Sequence, residues 1–455
     1  MFKSINPANH THLASFTSLS DEALQSRLEQ AEKAFRGPWK TTTVDHRCRL
    51  IRQLAQALRT QQHHFAQTIS LEMGKPIAQA EAEVAKCALL CDYYAKHSPA
   101  FLQDRLLFDD QSQGMVVYQP IGAVLGIMPW NFPFWQALRF AVPALAAGNV
   151  ILLKHAPNVP QCAQLLETLM VDVLGDPGLF QNLFIEVEQV EQVLAHPIVE
   201  GVALTGSERA GSSVAALAGR AIKKCVLELG GADAFIVLSD ADLPAAVEAA
   251  LLSRMNNSGQ TCISAKRLIV EKTVAAAFTE QLIGAMKQLK VGDPMDRQTR
   301  ISCLARPDLL DNLERQVNQS IDMGAEVLLA GGRMEGQLGN YFRPMLLGKV
   351  KPGMPAYEEE LFGPVAVVFE VADEAAAVQL ANDSRYGLGA AVWSADRERA
   401  LRVARQVEAG ALAINNIVRS DPRLPFGGVK RSGFGRELSK EGIKEFVNIK
   451  TIVVN

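Results

Sequence analysis

The sequence predicts an α/β fold in which mostly parallel sheets carry helices on both faces. Three observations predict it. Strand-like apolar runs alternate with helical periodicity from Ala123 onward. A second alternation begins after Gly230-Gly231. The length, 455 residues at 48% hydrophobic and 21% charged, fits a soluble chain of two or three domains. Such sheets bind ligands at the carboxyl ends of their strands, so the strand-to-helix turns are where function is sought.

In chain order, apolar residues recur at helical spacing over 21–35, 45–58, 65–72 and 78–94, which makes the first hundred residues helical. Residues 115–118 read as a strand that Gln119-Pro120 ends. Strands follow at 123–128, 150–154, 182–187 and 201–205, with helices at 134–147, 161–173 and 188–194 between them. The second alternation places strands at 234–238, 268–270 and 365–369, and helices at 243–254, 274–289, 374–381 and 397–407. The glycine-rich segment 331–339 reads as a surface loop, and 446–454 as a terminal strand in need of a partner.

A formal net charge of -3 gives no electrostatic case for nucleic acid or an anionic membrane. The opening residues lack the apolar core of a signal peptide, and no apolar run is long enough to span a bilayer. Seven scattered cysteines favour reduced thiols and a cytoplasmic setting. Cys87 and Cys91 have no second ligand pair at metal spacing, so no metal site is expected.

Four stretches carry chemistry. Asn256-Asn257-Ser258-Gly259-Gln260-Thr261-Cys262 is a polar loop ending in a thiol. A free cysteine is ordinarily a small buried hydrophobe; thiolate character and access make it a nucleophile. In Met128-Pro129-Trp130-Asn131-Phe132-Pro133, Asn131 either caps the next helix or offers an amide to an oxyanion. Leu204-Thr205-Gly206-Ser207 is a weak phosphate-turn signal, and Ser207 alone would explain it as a helix cap. Glu228 ends an apolar run before two glycines, where it is a buried general base or an exposed strand-end acid.

With Glu360-Leu361-Phe362-Gly363-Pro364 and the stretch from Pro425 to Gly433, these motifs resemble the aldehyde dehydrogenase superfamily over essentially the whole chain. The resemblance implies two Rossmann-type α/β domains plus a small β oligomerisation element. An NAD(P)-binding domain would take 1–104 and 121–232, a catalytic domain 233–432, and the oligomerisation element 105–120 and 433–455. The terminal strand would extend a neighbouring subunit's sheet, giving a homodimer or dimer of dimers. Cys262 would be the nucleophile, Glu228 the base, and Asn131 the oxyanion donor. A glutamate base favours thioester hydrolysis over transfer to coenzyme A.

The resemblance also implies a cofactor, NADP or NAD. Trp130, Lys154, His155, Pro157, Gly206, Ser207, Leu229, Glu360 and Phe362 would surround it. NAD-preferring relatives often carry Glu where this chain has Pro157; proline does not repel a 2′-phosphate, so NADP is accommodated. For the small-molecule aldehyde, Trp135, Arg139, Thr261 and Ser420 are the expected contacts. Arg139 follows Asn131 by two turns, and a guanidinium suits a carboxylate, as in relatives that oxidise succinate semialdehyde. The alternative for Arg139 is pairing with a structural acid. Asn256 and Ser264 depart from an arginine and a second cysteine found in some relatives, which leaves chain length open and excludes that redox switch. Glutarate semialdehyde, broad aldehyde oxidation and a non-redox cysteine hydrolase or acyltransferase are the competing readings.

Overall fold

A computed structural model describes residues 1–108 and 113–454. The expected element 105–120 therefore has its residues 109–112, and the expected 433–455 its last residue, outside the described residues. The chain opens with an antiparallel hairpin, Phe2–Ile5 with His12–Phe16, where only helix was expected. Helices Asp21–Arg36, Val44–Thr60, Gln62–Met73 and Ile77–Phe101 follow.

The first large sheet has six strands in the order Gly433–Phe434, Lys224–Glu228, Val199–Thr205, Ala123–Met128, Val150–His155, Phe180–Asn182. All pair in parallel except the short Gly433–Phe434 edge. The strand expected at 182–187 stops early. Phe184 instead packs against Phe2 and Phe16, with ring centroids 5.6 and 5.0 Å away, so this stretch leaves the sheet for the N-terminal hairpin.

The second sheet has seven strands, with Arg267–Glu271 and Ala234–Val237 at its centre. The sequence reading missed its strands Met345–Gly348, Gly389–Trp393 and Ala411–Ile414, and the helix Pro307–Asp322. These strands are short or alanine-rich runs with little alternation to read, whereas the helix carries a legible helical spacing in Leu310, Leu313, Val317 and Ile321. A third, antiparallel sheet joins Val447–Val454 to Gln113–Pro120 and Arg105–Phe108.

Every residue of helix Pro133–Ala147 is buried, because it lies between the first sheet and the N-terminal helices. Gly126 makes this seating possible: a Cβ there would collide with the Phe140 ring. Among the described residues no helix is long and apolar enough to cross a membrane.

Candidate active site

The nucleophile loop follows helix Leu243–Met255. Asn257, Ser258 and Gly259 take left-handed φ values of 53°, 54° and 76° in succession, which turns the chain sharply towards Cys262. A side chain at Gly259 would strike the Gly363 carbonyl. Side chains hold this strained turn in place. Asn257 Nδ2 donates to Asn131 O at 2.8 Å, and Arg254 Nη1 donates to Gly259 O at 3.1 Å. Lys266 Nζ donates to Thr261 O at 2.9 Å and Cys262 O at 2.6 Å, and pairs with Glu360 Oε1 at 2.9 Å. Burial pushes the Cys262 thiol up to about 11, while Lys266 and Arg139 pull it the other way. At neutral pH the thiol therefore holds its proton, and a small thiolate fraction is what reacts.

Asn131 does not cap the next helix. That role falls to Glu83, whose Oε1 accepts from Phe134 N at 2.9 Å and Trp135 N at 3.0 Å. Glu83 is itself ion-paired with buried Lys75, which lies 3.7 Å above the Phe132 ring. Asn131 is left to face the nucleophile loop, where its Nδ2 donates to Gln260 O at 3.0 Å. One amide hydrogen remains for an oxyanion.

Glu228, at the end of its strand, is buried, and neither carboxylate oxygen has a hydrogen-bond partner among the described residues. Burial pushes its pKa well above the usual carboxylate range; the Arg139 charge opposes this. Gly427 gives the carboxylate room, since a Cβ there would lie 2.8 Å from Glu228 Oε1.

The strand ends of the first sheet gather the residues expected to hold a cofactor. Trp130 packs edge-on to Phe362 at 5.7 Å. Ser207 accepts from Ala210 N at 3.3 Å, so it caps its helix, and Gly206 beside it leaves the helix N-terminus open. Leu229 fills the space that Gly211 provides. Pro157 is exposed in the turn after Val150–His155. Lys154 is buried with no hydrogen-bond or ion-pair partner among the described residues, and burial lowers its pKa. An unpartnered buried ammonium at a strand's carboxyl end fits a ribose- and phosphate-bearing ligand. One expectation needs correction. The His155 ring accepts from Ala156 N at Nδ1 (2.8 Å) and so donates from Nε2 to Pro133 O (2.9 Å). Both nitrogens are committed, so the imidazole braces the Asn131 turn and is not free for a cofactor. Glu360 is likewise engaged, with Oε1 accepting from Gly231 N at 3.2 Å.

A cavity of about 380 Å³ opens beside Cys262, and Trp135, Arg139, Thr261 and Ser420 line it. Arg139 reaches this cavity with its charge already balanced. Its Nε pairs with Glu437, its Nη2 donates to Thr205 Oγ1 at 3.3 Å, and its guanidinium lies 4.9 Å from the Phe426 ring centre. The alternative named for Arg139, pairing with a structural acid, is thus realised through Glu437, with Arg139 still on the cavity wall. Sequence reasoning missed Lys86 and Arg419, which line the same cavity, and Lys266 beneath the loop. Lys266, four residues beyond Cys262, was legible only as a basic pair with Arg267 just before the apolar run from Leu268. A larger hollow of about 910 Å³ around Lys287 and Glu326 is lined by no cysteine.

The model of the aldehyde dehydrogenase family matches residues 1–452. The chain belongs to the aldehyde dehydrogenase family. Among relatives of this aldehyde dehydrogenase, the Escherichia coli NAD(P)+ succinate semialdehyde dehydrogenase Sad is 46% identical over 449 residues, covering 99% of this chain and 97% of that one. A probable NADP+ succinate-semialdehyde dehydrogenase of Synechocystis is 46% identical over 448 residues, 98% of each chain. The solved succinic semialdehyde dehydrogenase of Streptococcus pyogenes, in complex with NADP+, superposes with a TM-score of 0.97. It is 38% identical and covers 99% of both chains.

Proposed function

We propose that this aldehyde dehydrogenase oxidises succinate semialdehyde to succinate with NADP or NAD. The observation that carries the reading is the cavity: a thiol on its wall, two cations without an acid partner among the described residues, Lys86 and Arg419, a third, Arg139, balanced by Glu437, and one lining acid, Glu83, already paired with Lys75. That excess of positive charge is unsuited to an uncharged aldehyde and suited to an aldehyde with a carboxylate. The names of the relatives point the same way.

Lys154, Gly206, Ser207, Trp130 and Leu229 would hold the nicotinamide dinucleotide, which when bound supplies the hydride acceptor. The Cys262 thiolate attacks the aldehyde carbon. The free Asn131 amide hydrogen and the Cys262 backbone N–H stabilise the oxygen that becomes negative. Once the carbon is oxidised it is a thioester on Cys262 Sγ. Glu228, ionised, takes a proton from water, whose oxygen attacks the thioester carbon and releases the acid and the thiolate. A buried carboxylate with no hydrogen bond to stabilise it is a strong proton acceptor once it loses its own proton.

The protein is a homodimer or dimer of dimers in this reading, with the exposed apolar residues of the three-stranded sheet at the contact. The test of function is turnover. Succinate semialdehyde should exceed both butanal and glutarate semialdehyde in kcat/KM, with either coenzyme. Equal rates on succinate semialdehyde and butanal would leave a general aldehyde dehydrogenase.

A further inference from the structure

We propose that Lys86 is the specificity-determining residue that binds the distal carboxylate of the substrate, presented by Ser420 and the face of Trp135. This rests on the semialdehyde reading above. Lys86 lies on helix Ile77–Phe101 and opens into the cavity that contains Cys262. Its ammonium sits 3.8 Å above the Trp135 ring, and Nζ donates to Ser420 Oγ at 2.7 Å. Among the described residues no carboxylate lies within ion-pair distance of it.

The charges around Lys86 are otherwise accounted for. Glu83, one turn back on the same helix, holds Lys75. Arg139, on the neighbouring helix, holds Glu437. Asp421, next to Ser420, pairs with Arg423 at 2.6 Å. Arg419 also borders the cavity, and its side chain is exposed to solvent. Lys86 is thus the partly buried cation of the cavity left without a counter-charge. One Nζ–H is spent on Ser420, and the remaining donors are free for a carboxylate. Burial, then the Arg139 charge, lowers the Lys86 amine to about 8. An incoming carboxylate relieves both penalties, since it is an opposite charge in a poorly solvated place.

The test compares wild type, Lys86→Met and Lys86→Arg on succinate semialdehyde and on butanal. Losing a charge-assisted contact should cut kcat/KM for succinate semialdehyde in Lys86→Met on the order of 30-fold. Butanal turnover should stay unchanged, and Lys86→Arg should retain most of the preference. Equal losses on the two substrates, or no loss on either, would overturn the role of Lys86. A wild type that does not prefer succinate semialdehyde to butanal would remove the functional reading itself, which is a different result. Should Lys86→Met fail to fold, the wild-type pH profile serves. The ratio of the two kcat/KM values should fall as pH rises through about 8, because taking a ratio cancels the Cys262 titration common to both substrates. In Lys86→Arg that fall should vanish; a flat wild-type ratio refutes the proposal.

Discussion

At Cys262 two needs oppose one another. In the proposed mechanism burial would protect a covalent intermediate from solvent, and it raises the thiol to about 11. Alkylation of the cofactor-free protein should therefore accelerate about tenfold per pH unit from neutral to mildly alkaline conditions, following the thiolate fraction. A flat profile would mean that the thiol is already ionised. Replacing Cys262 with alanine should abolish turnover and spare cofactor binding, measured by titration with NADP. Glu228 has the complementary problem, since it is buried without a hydrogen bond and holds its proton too strongly to act as a base at low pH. Deacylation should then speed up as pH rises. Glu228→Gln should slow it more than oxidation, leaving a pre-steady-state burst of reduced cofactor; collapse of the burst would assign Glu228 to the first step. On the cofactor side, Pro157→Glu should shift the kcat/KM ratio towards NAD, because a carboxylate repels a 2′-phosphate. An unchanged ratio would place residue 157 away from the ribose.

The elements that position these groups are held by buried polar side chains. Glu83 ties helix Ile77–Phe101 to the N-terminus of Pro133–Ala147 and neutralises Lys75. Glu83→Ala leaves a buried ammonium unpaired, which costs about 3–5 kcal/mol. Its melting midpoint should fall, and turnover on succinate semialdehyde and butanal should fall together, since the Asn131 turn serves both. His155 joins the end of Val150–His155 to the start of Pro133–Ala147 while neutral, and burial lowers its pKa to about 4. The folded state binds fewer protons than the unfolded chain, so this contribution is complete above the unfolded value near 6.5 and is lost as pH falls towards 4. The difference amounts to roughly 3 kcal/mol. His155→Gln should be less stable at neutral pH and should lose less stability on acidification over that window, as followed by urea unfolding.

For the whole molecule, the three-stranded sheet stands apart from the two large ones and presents Ile449 and Val453 at 56% and 64% exposure. In the proposed assembly these exposed apolar strand residues form the subunit contact. Ile449→Asp with Val453→Asp should lower the mass measured by light scattering towards that of the single chain. An unchanged mass would put the subunit contact elsewhere.

The sequence by itself determined the family and pointed to the covalent chemistry proposed above. The Asn131, Glu228 and Cys262 motifs each occupy a short stretch whose glycines, prolines and polar residues are demanded by local backbone geometry, and local demands are written locally. It also determined the parallel alternation, because strands buried on both faces read as short continuous apolar runs and amphipathic helices have a period that a short window reveals. Only the tertiary structure decided how the charges pair. Lys86 and Ser420 are 334 positions apart, and nothing in either neighbourhood announces the other. Arg139 was legible as a cation two turns from Asn131, but its partner Glu437 comes from the far end of the chain. A charge in a sequence shows no sign of whether it is already balanced. That depends on which distant side chain the fold brings within a few ångströms, and here it pairs Arg139 with Glu437 and leaves Lys86 without a counter-charge in the cavity.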